Sequence, residues 1–159
     1  MATGLYFEEL EVGRRFVHGI RRTVTQADNT IFSALTHNPA PLHIDAEYMR
    51  TQSEFGKPLM NSFFTLGLIV GISINDVSMG TTVANLSIEE ARFPNPLFEN
   101  DTVHVETLVV AKRRSRSRPL NGIVTLEHSG FNQHDQLIAV CRRNVLMLAR
   151  SEADTQARD

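Results

Sequence analysis

Three side chains of the stretch FSALTHNPAPLHID, residues 32–45, could do proton chemistry: Asn38, His43 and Asp45. The His43 imidazole titrates near neutrality unless perturbed, so it can take a proton from water and give it back. Asn38 cannot accept a proton, but its amide can hold a water molecule by hydrogen bonds. Asp45 could orient the His43 ring or act as a second acid/base. Its other reading, the one we favour, is the N-cap of a helix that starts at the next residue. Pro39 and Pro41 each fix a backbone dihedral and restrain the residue before them, so Asn38 and His43 are presented from a stiff, exposed loop. A lone histidine in a loop is more often an ordinary polar side chain than a catalyst.

Other chemistries find less support. The five other histidines, His18, His37, His104, His128 and His134, have neither cysteine partners nor ligand spacing, so no metal is expected. A glycine-rich phosphate loop and a nucleophilic serine turn are absent. Cys141 is the single cysteine, which rules out an internal disulfide and fits a reducing compartment. Its place in an apolar alternation makes it a buried spectator. Lys112, Arg113, Arg114, Arg116 and Arg118 form a dense cationic run, either a solvated hairpin or a clamp for phosphates. No aromatic residues interleave with them, so nucleic acid is not the expected partner.

The elements that must position these groups fit one domain. The chain has 159 residues, a net charge of -2 and a pI near 6.3, which give no overall attraction to nucleic acid or anionic membrane. Residues 1–149 read as a single domain and residues 150–159 as a polar tail. No charged segment followed by an apolar run opens the chain, so a cytoplasmic location is expected. Residues 58–75, PLMNSFFTLGLIVGISIN, carry no charge and predict a central helix enveloped on all sides. Their small and polar residues argue for a protein core rather than a membrane. Gly67 and Gly71 lie on one face, where strands or another helix could approach closely.

Before this helix, residues 14–24 predict a strand with Phe16 inward. Thr25 then caps a helix whose Ile31, Phe32, Ala34 and Leu35 recur at helical spacing, and a further helix runs from Asp45 to about Ser53. After Gly80 the period becomes two, with Ala84, Leu86 and Ile88 on one face of a half-buried strand. Further strands follow through Val103–Val109, over residues 123–131 and over residues 137–148, with residues 112–119 as a basic connection. One strand, helices, then four strands able to pair antiparallel predict an α+β architecture, a sheet wrapped around one helix, which is the hotdog fold.

The 32–45 stretch resembles the hydratase motif of the MaoC-like dehydratase family. There an Asp and a His, in Ser-Gly-Asp-x-Asn-Pro-Leu-His, act on water added across an enoyl-CoA double bond. Pro41-Leu42-His43 matches the end of that motif, and Asn38 stands where the family usually has its Asp. Short members similar to mesaconyl-CoA hydratases keep an Asn there and continue His-x-Asp, as His43-Ile44-Asp45 does. Two more segments resemble the family in order: residues 56–62, GKPLMNS, and residues 92–102, RFPNPLFENDT. Ser62 and Asn100 replace glycines of the usual pattern.

The resemblance implies reversible hydration of a short enoyl-CoA to a 3-hydroxyacyl-CoA, methyl-branched or carboxylated chains such as mesaconyl-CoA or itaconyl-CoA included. His43 would be the acid/base, Asn38 the water holder and Asp45 the reserve carboxylate. Asn61 and the backbone N–H of Ser62 would face the thioester oxygen at a helix start. Arg92, Lys112, Arg113, Arg116 and Arg118 are the candidates for coenzyme A phosphates. No cofactor is expected beyond the coenzyme A of the substrate, and a homodimer would build the substrate tunnel between subunits. The alternatives are a non-catalytic acyl-CoA binding or regulatory protein and, less well supported, a hotdog thioesterase, since those commonly carry an acid on the central helix and residues 58–75 have none.

Overall fold

The computed structural model describes residues 3–150, so the polar tail expected at residues 150–159 lies outside them except for Arg150. Helix α1, Gln26–Leu35, starts where expected: the Thr25 hydroxyl accepts the Asp28 amide and the Asp28 carboxylate accepts the Thr25 N–H. Such a reciprocal cap stabilises a helix start by about 1 kcal/mol. The helix stops at Leu35, and His37 turns the chain with a φ of 52°. Its orientation reverses the expectation. Ile31 and Leu35 are exposed, while Asn29 and Ser33, four residues apart on the opposite face, are buried.

The proline segment is not all loop. Pro41–Ile44 forms one short helical turn, α2, with Pro41 at its first position, where its missing N–H is not needed. Asp45 caps α3, Ala46–Gln52, accepting the Tyr48 N–H at 2.8 Å. The central helix α4 is Ser62–Val77, later at both ends than residues 58–75. Asn61 caps it by accepting the Phe63 N–H at 3.0 Å. Residues 58–61 are extended instead, because Leu59 bridges to Phe98.

The first predicted strand is two short ones, β1 at Arg15–Val17 and β2 at Arg22–Thr23. The long strands are β3 at Thr82–Arg92, β4 at Thr102–Arg114, β5 at Asn121–Phe131 and β6 at Leu137–Leu148. Lys112 and Arg113 therefore belong to β4 and not to a connection. The sheet order is β1-β4-β5-β6-β3, antiparallel throughout, with β2 also pairing β4. β3 thus pairs the last strand, and residues 93–101 carry the chain across to β4. Asn100 makes that turn with a φ of 70°, a conformation asparagine tolerates in place of glycine.

The sheet wraps α4 on one side. Leu66, Ile69 and Ile72 pack on Val103, Val105, Ala139 and Cys141, and Val77 packs on Phe7, Val109, Val124 and Val145. Burying each of these large side chains stabilises the fold by about 1.5–3 kcal/mol. Gly130 permits the closest approach: a Cβ there would lie 2.5 Å from Cγ2 of Ile69. Gly67 and Gly71 play no such part, since a Cβ on either would meet nothing within 4 Å. They lie with Phe63, 73% exposed, on a face of α4 that the chain leaves open, so the helix is not enveloped on all sides. β3 is likewise an edge strand with Val83, Leu86 and Ile88 exposed, not the half-buried strand expected.

A polar chain crosses the core beneath the second half of α4. Nε of Arg143 donates to Nε2 of His128 at 2.9 Å, so the His128 proton sits on Nδ1, which donates to the Thr107 hydroxyl at 2.9 Å. Thr107 in turn donates to Nε2 of His18 at 2.8 Å, and Nδ1 of His18 donates to Asp76 at 2.8 Å. The permanently protonated guanidinium fixes the direction of both His128 bonds. Burial, with help from the Arg143 charge, pushes His128 down to about 3, so it is neutral near pH 7.

Candidate active site

α1, α2 and the start of α4 meet around three backbone groups. Nδ1 of His43 lies 2.9 Å from the Leu59 carbonyl, which can only accept. The proton therefore sits on Nδ1, and the Nε2 lone pair is left without a partner among the described residues. The ring is buried to 7% exposure, and its main chain is held by the Ala40 carbonyl and by Nε2 of Gln26, 3.1 Å from the His43 carbonyl. A base for water requires such an arrangement: a fixed tautomer, with the other ring nitrogen free.

Asn38, partly buried, sits on the turn between α1 and α2. Its Oδ1 accepts the Ala40 N–H at 3.1 Å, which fixes the amide orientation. The Nδ2 donors then have no partner among the described residues, so Asn38 can offer a donor to a water oxygen. It lines an open, apolar hollow of about 390 Å³ with Ser33, His37, Pro39 and Ile44. Asp45 is exposed, and its carboxylate caps α3. The orienting role considered for it belongs instead to the Leu59 carbonyl.

At the start of α4, Asn61 is buried and Ser62 is the first helical residue. The Ser62 N–H has no intramolecular acceptor among the described residues, and it points out of the positive end of a 16-residue helix. Ser62 and Thr65 line a cleft of about 370 Å³ walled by Phe55, Met60, Phe93, Pro96 and Ile138. The cleft is therefore apolar with a helix N-terminus at its edge, a setting suited to an acyl thioester whose oxygen gains charge.

The cationic candidates are divided. Arg92 pairs with Glu90 and directly precedes Phe93 of the cleft wall. Lys57, unremarked in the sequence, lies 4.3 Å over the Phe98 ring beside Phe55. The basic run is elsewhere. Lys112 is nine residues along β4 from Val103, a span of about 30 Å, and Val103 packs in the cluster that contains Met60. Lys112 itself binds the carbonyls of Phe7 and Glu8 at 3.2 and 3.1 Å. It lines, with Arg113, a groove of about 420 Å³ that contains neither His43 nor Ser62. Arg116 and Arg118 lie beyond it on the β4–β5 connection.

Sequence reasoning missed Asn29. It is fully buried in α1, its Nδ2 lies 2.7 Å from the His43 carbonyl and 2.9 Å from the Leu59 carbonyl, and its Oδ1 accepts the Asn61 N–H at 2.8 Å. Asn29 and Ser33 share one helix face, and two polar residues at that spacing read as a solvent face. Asp76 was also missed, because α4 runs past Asn75. It is an acid on the central helix, but it is tied to His18 about 21 Å from Ser62 along the axis. Among the described residues no group of three or more His, Cys, Asp or Glu could hold a metal ion. No described helix is long and apolar enough to cross a membrane, which leaves strand-built spans unaddressed.

Residues 8–132 match the family model for the MaoC like domain. The chain is 27% identical over 150 residues to mesaconyl-CoA hydratase of Cereibacter sphaeroides, covering 94% of this chain and 43% of that protein. It therefore spans less than half the length of that relative. The MaoC-like dehydratase structure from Rhodospirillum rubrum superimposes with a TM-score of 0.80 at 29% identity, over 93% of this chain and 99% of that one. A Mycobacterium tuberculosis protein with a double hotdog fold does so at 0.84 and 21% identity, over 94% of this chain and 46% of that one, which shows the fold alone. The sheet wrapped around α4 is thus a hotdog fold, and the chain belongs to the MaoC-like domain family.

Proposed function

We propose that the chain hydrates short enoyl-CoA thioesters reversibly, with mesaconyl-CoA as the first substrate to try because a relative of that name matches most of the chain. The observation that carries the reading is the His43 tautomer fixed by the Leu59 carbonyl, three residues before the first residue of α4, while Asn38 and Ser62 line separate hollows of the single chain. Asn38 Nδ2 donates to the water oxygen while Nε2 of His43 takes a water proton as the oxygen bonds to the β-carbon. The electron pair of the double bond moves toward the thioester oxygen, where the Ser62 N–H and the helix dipole stabilise it. Nε2 then returns the proton to the α-carbon, so one water has been added and His43 is restored. No electron is exchanged with an outside acceptor, and the coenzyme A of the substrate is the only carrier the scheme uses.

Loss of enoyl absorbance with mesaconyl-CoA or crotonyl-CoA is the test. Saturable binding without turnover would instead make the chain an acyl-CoA binding module. Asn38→Ala is expected to lower kcat roughly ten- to a thousandfold, the scale of a lost transition-state hydrogen bond, with KM nearly unchanged. An equally active Ala variant, or hydration only by Asn38→Asp, would remove the amide from the mechanism.

The active assembly is proposed to be a homodimer at least. The supports are the exposed apolar residues of the β3 edge and the open face of α4 along Phe63, Gly67 and Gly71. Light scattering is expected to give twice the chain mass or more, and an active monomer would overturn this.

A further inference from the structure

We propose that Asn29 is a positioning residue for this reaction, holding the His43 acceptor and the start of α4 as one unit. The inference rests on the hydratase reading above. Both protons on Nδ2 are used, one on the His43 carbonyl and one on the Leu59 carbonyl, and Oδ1 holds the Asn61 N–H. The Asn61 N–H can only donate, so the orientation of the amide is fixed.

Each partner belongs to a different working part. The Leu59 carbonyl is the group that keeps the His43 proton on Nδ1. Asn61 is the cap residue next to the Ser62 N–H. The His43 carbonyl lies on the turn that carries the imidazole. Gln26 also reaches the His43 carbonyl, so that bond has a second holder. The Asn61 N–H has no other side-chain acceptor, and the Leu59 carbonyl is shared only with the His43 ring. Without Asn29, the acceptor of His43 and the donor end of α4 would settle independently, and the distance between base and oxyanion site would no longer be set by one side chain.

The chemistry of the position is specific. A carboxylate in its place would face two carbonyl oxygens with no proton to give, and an aliphatic side chain would strand the Asn61 N–H. An Asn with 0% exposure in the middle of a helix is otherwise costly, because a buried amide must find all its partners. Here every partner it finds is part of the candidate site.

The test measures Asn29→Ala and Asn29→Asp against the wild type with mesaconyl-CoA, alone and in a His43→Ala background, with 15N spectra of the His43 ring. In a folded variant kcat is expected to fall about a hundredfold, the scale of a misplaced reacting group, with KM changed less than about threefold. The His43 Nε2–H tautomer is expected to appear in the variant spectra and to be absent from the wild type. In the His43→Ala background the same change is expected to lower the residual rate by less than about threefold, since coupled residues are not additive. A folded variant with native kcat, an unchanged His43 tautomer, or the full loss repeated in the His43→Ala background would overturn the assignment. So would two variants that both fail to fold, which would leave Asn29 a purely structural residue. A wild type that hydrates no enoyl-CoA overturns the hydratase reading itself, and this inference with it.

Discussion

His43→Ala is expected to lower kcat at least about a hundredfold, the usual size of a lost general acid/base, while the protein stays folded. Only one hydrogen bond leaves with the ring, that from Nδ1 to the Leu59 carbonyl, and this carbonyl keeps its bond from Asn29. The main-chain bonds of the turn, from Ala40 and to Asn29 and Gln26, do not involve the imidazole. The scheme asks His43 to act twice, first as base toward water and then as acid toward the α-carbon, so no single remaining donor or acceptor replaces it. Asn38 can hold the water but cannot take its proton, and the Asp45 carboxylate is occupied as a cap. Initial rates of enoyl loss, read beside thermal melting, check this. A folded variant with near-native kcat would remove His43 from the mechanism.

What could be read from the sequence was local. The Thr25 and Asp45 caps depend on side chains within three residues of the helix start, and both stand where expected. The β6 limits, Leu137–Leu148, match because a turn and an alternation mark both ends. Errors arose wherever apolar was taken to mean inside. Ile31 and Leu35 of α1, Phe63 of α4 and Leu86 and Ile88 of β3 are apolar and exposed, because one chain does not supply a surface to cover them. The polar face of α1 failed in the opposite sense: Asn29 is buried because backbone groups of two distant segments, around His43 and around Leu59, converge on it. The two carbonyls lie 14 and 30 residues along the chain from Asn29, beyond any helical or strand period, so no periodicity could have announced the contact. His18, Thr107, His128 and Arg143 are likewise scattered along the chain. Only the β4–β5 and β5–β6 registers, which set Thr107 opposite His128 and bring Arg143 within reach of it, make them one chain.

That buried chain gives the second large expectation, a loss of stability in mild acid. In the unfolded chain the His128 imidazole takes a proton near pH 6.5, whereas in the fold it does so only near 3. Between those values the unfolded state holds the extra proton, so stability falls as the pH falls from 6.5 toward 3 and is unaffected by this group above 6.5. Burial is the main cause, and the ring is fully enclosed, so solvent does not relieve it. A second cause is directional: Nε2 already accepts from Arg143, so a proton there would set two donors against each other beside a guanidinium. At pH 4 the loss is roughly 3 kcal/mol, a large share of the 5–15 kcal/mol typical of a domain. Carboxylates also begin to titrate at that pH, so the wild-type curve alone does not isolate His128. His128→Gln does, because its amide can accept from Arg143 and donate toward Thr107 without titrating, and every other ionisable group is unchanged. Urea unfolding at pH 7 and pH 4 is expected to show a smaller acid loss in the variant than in the wild type, by about 2–3 kcal/mol. Equal acid losses in the two proteins would mean that the proton driving acid unfolding binds elsewhere.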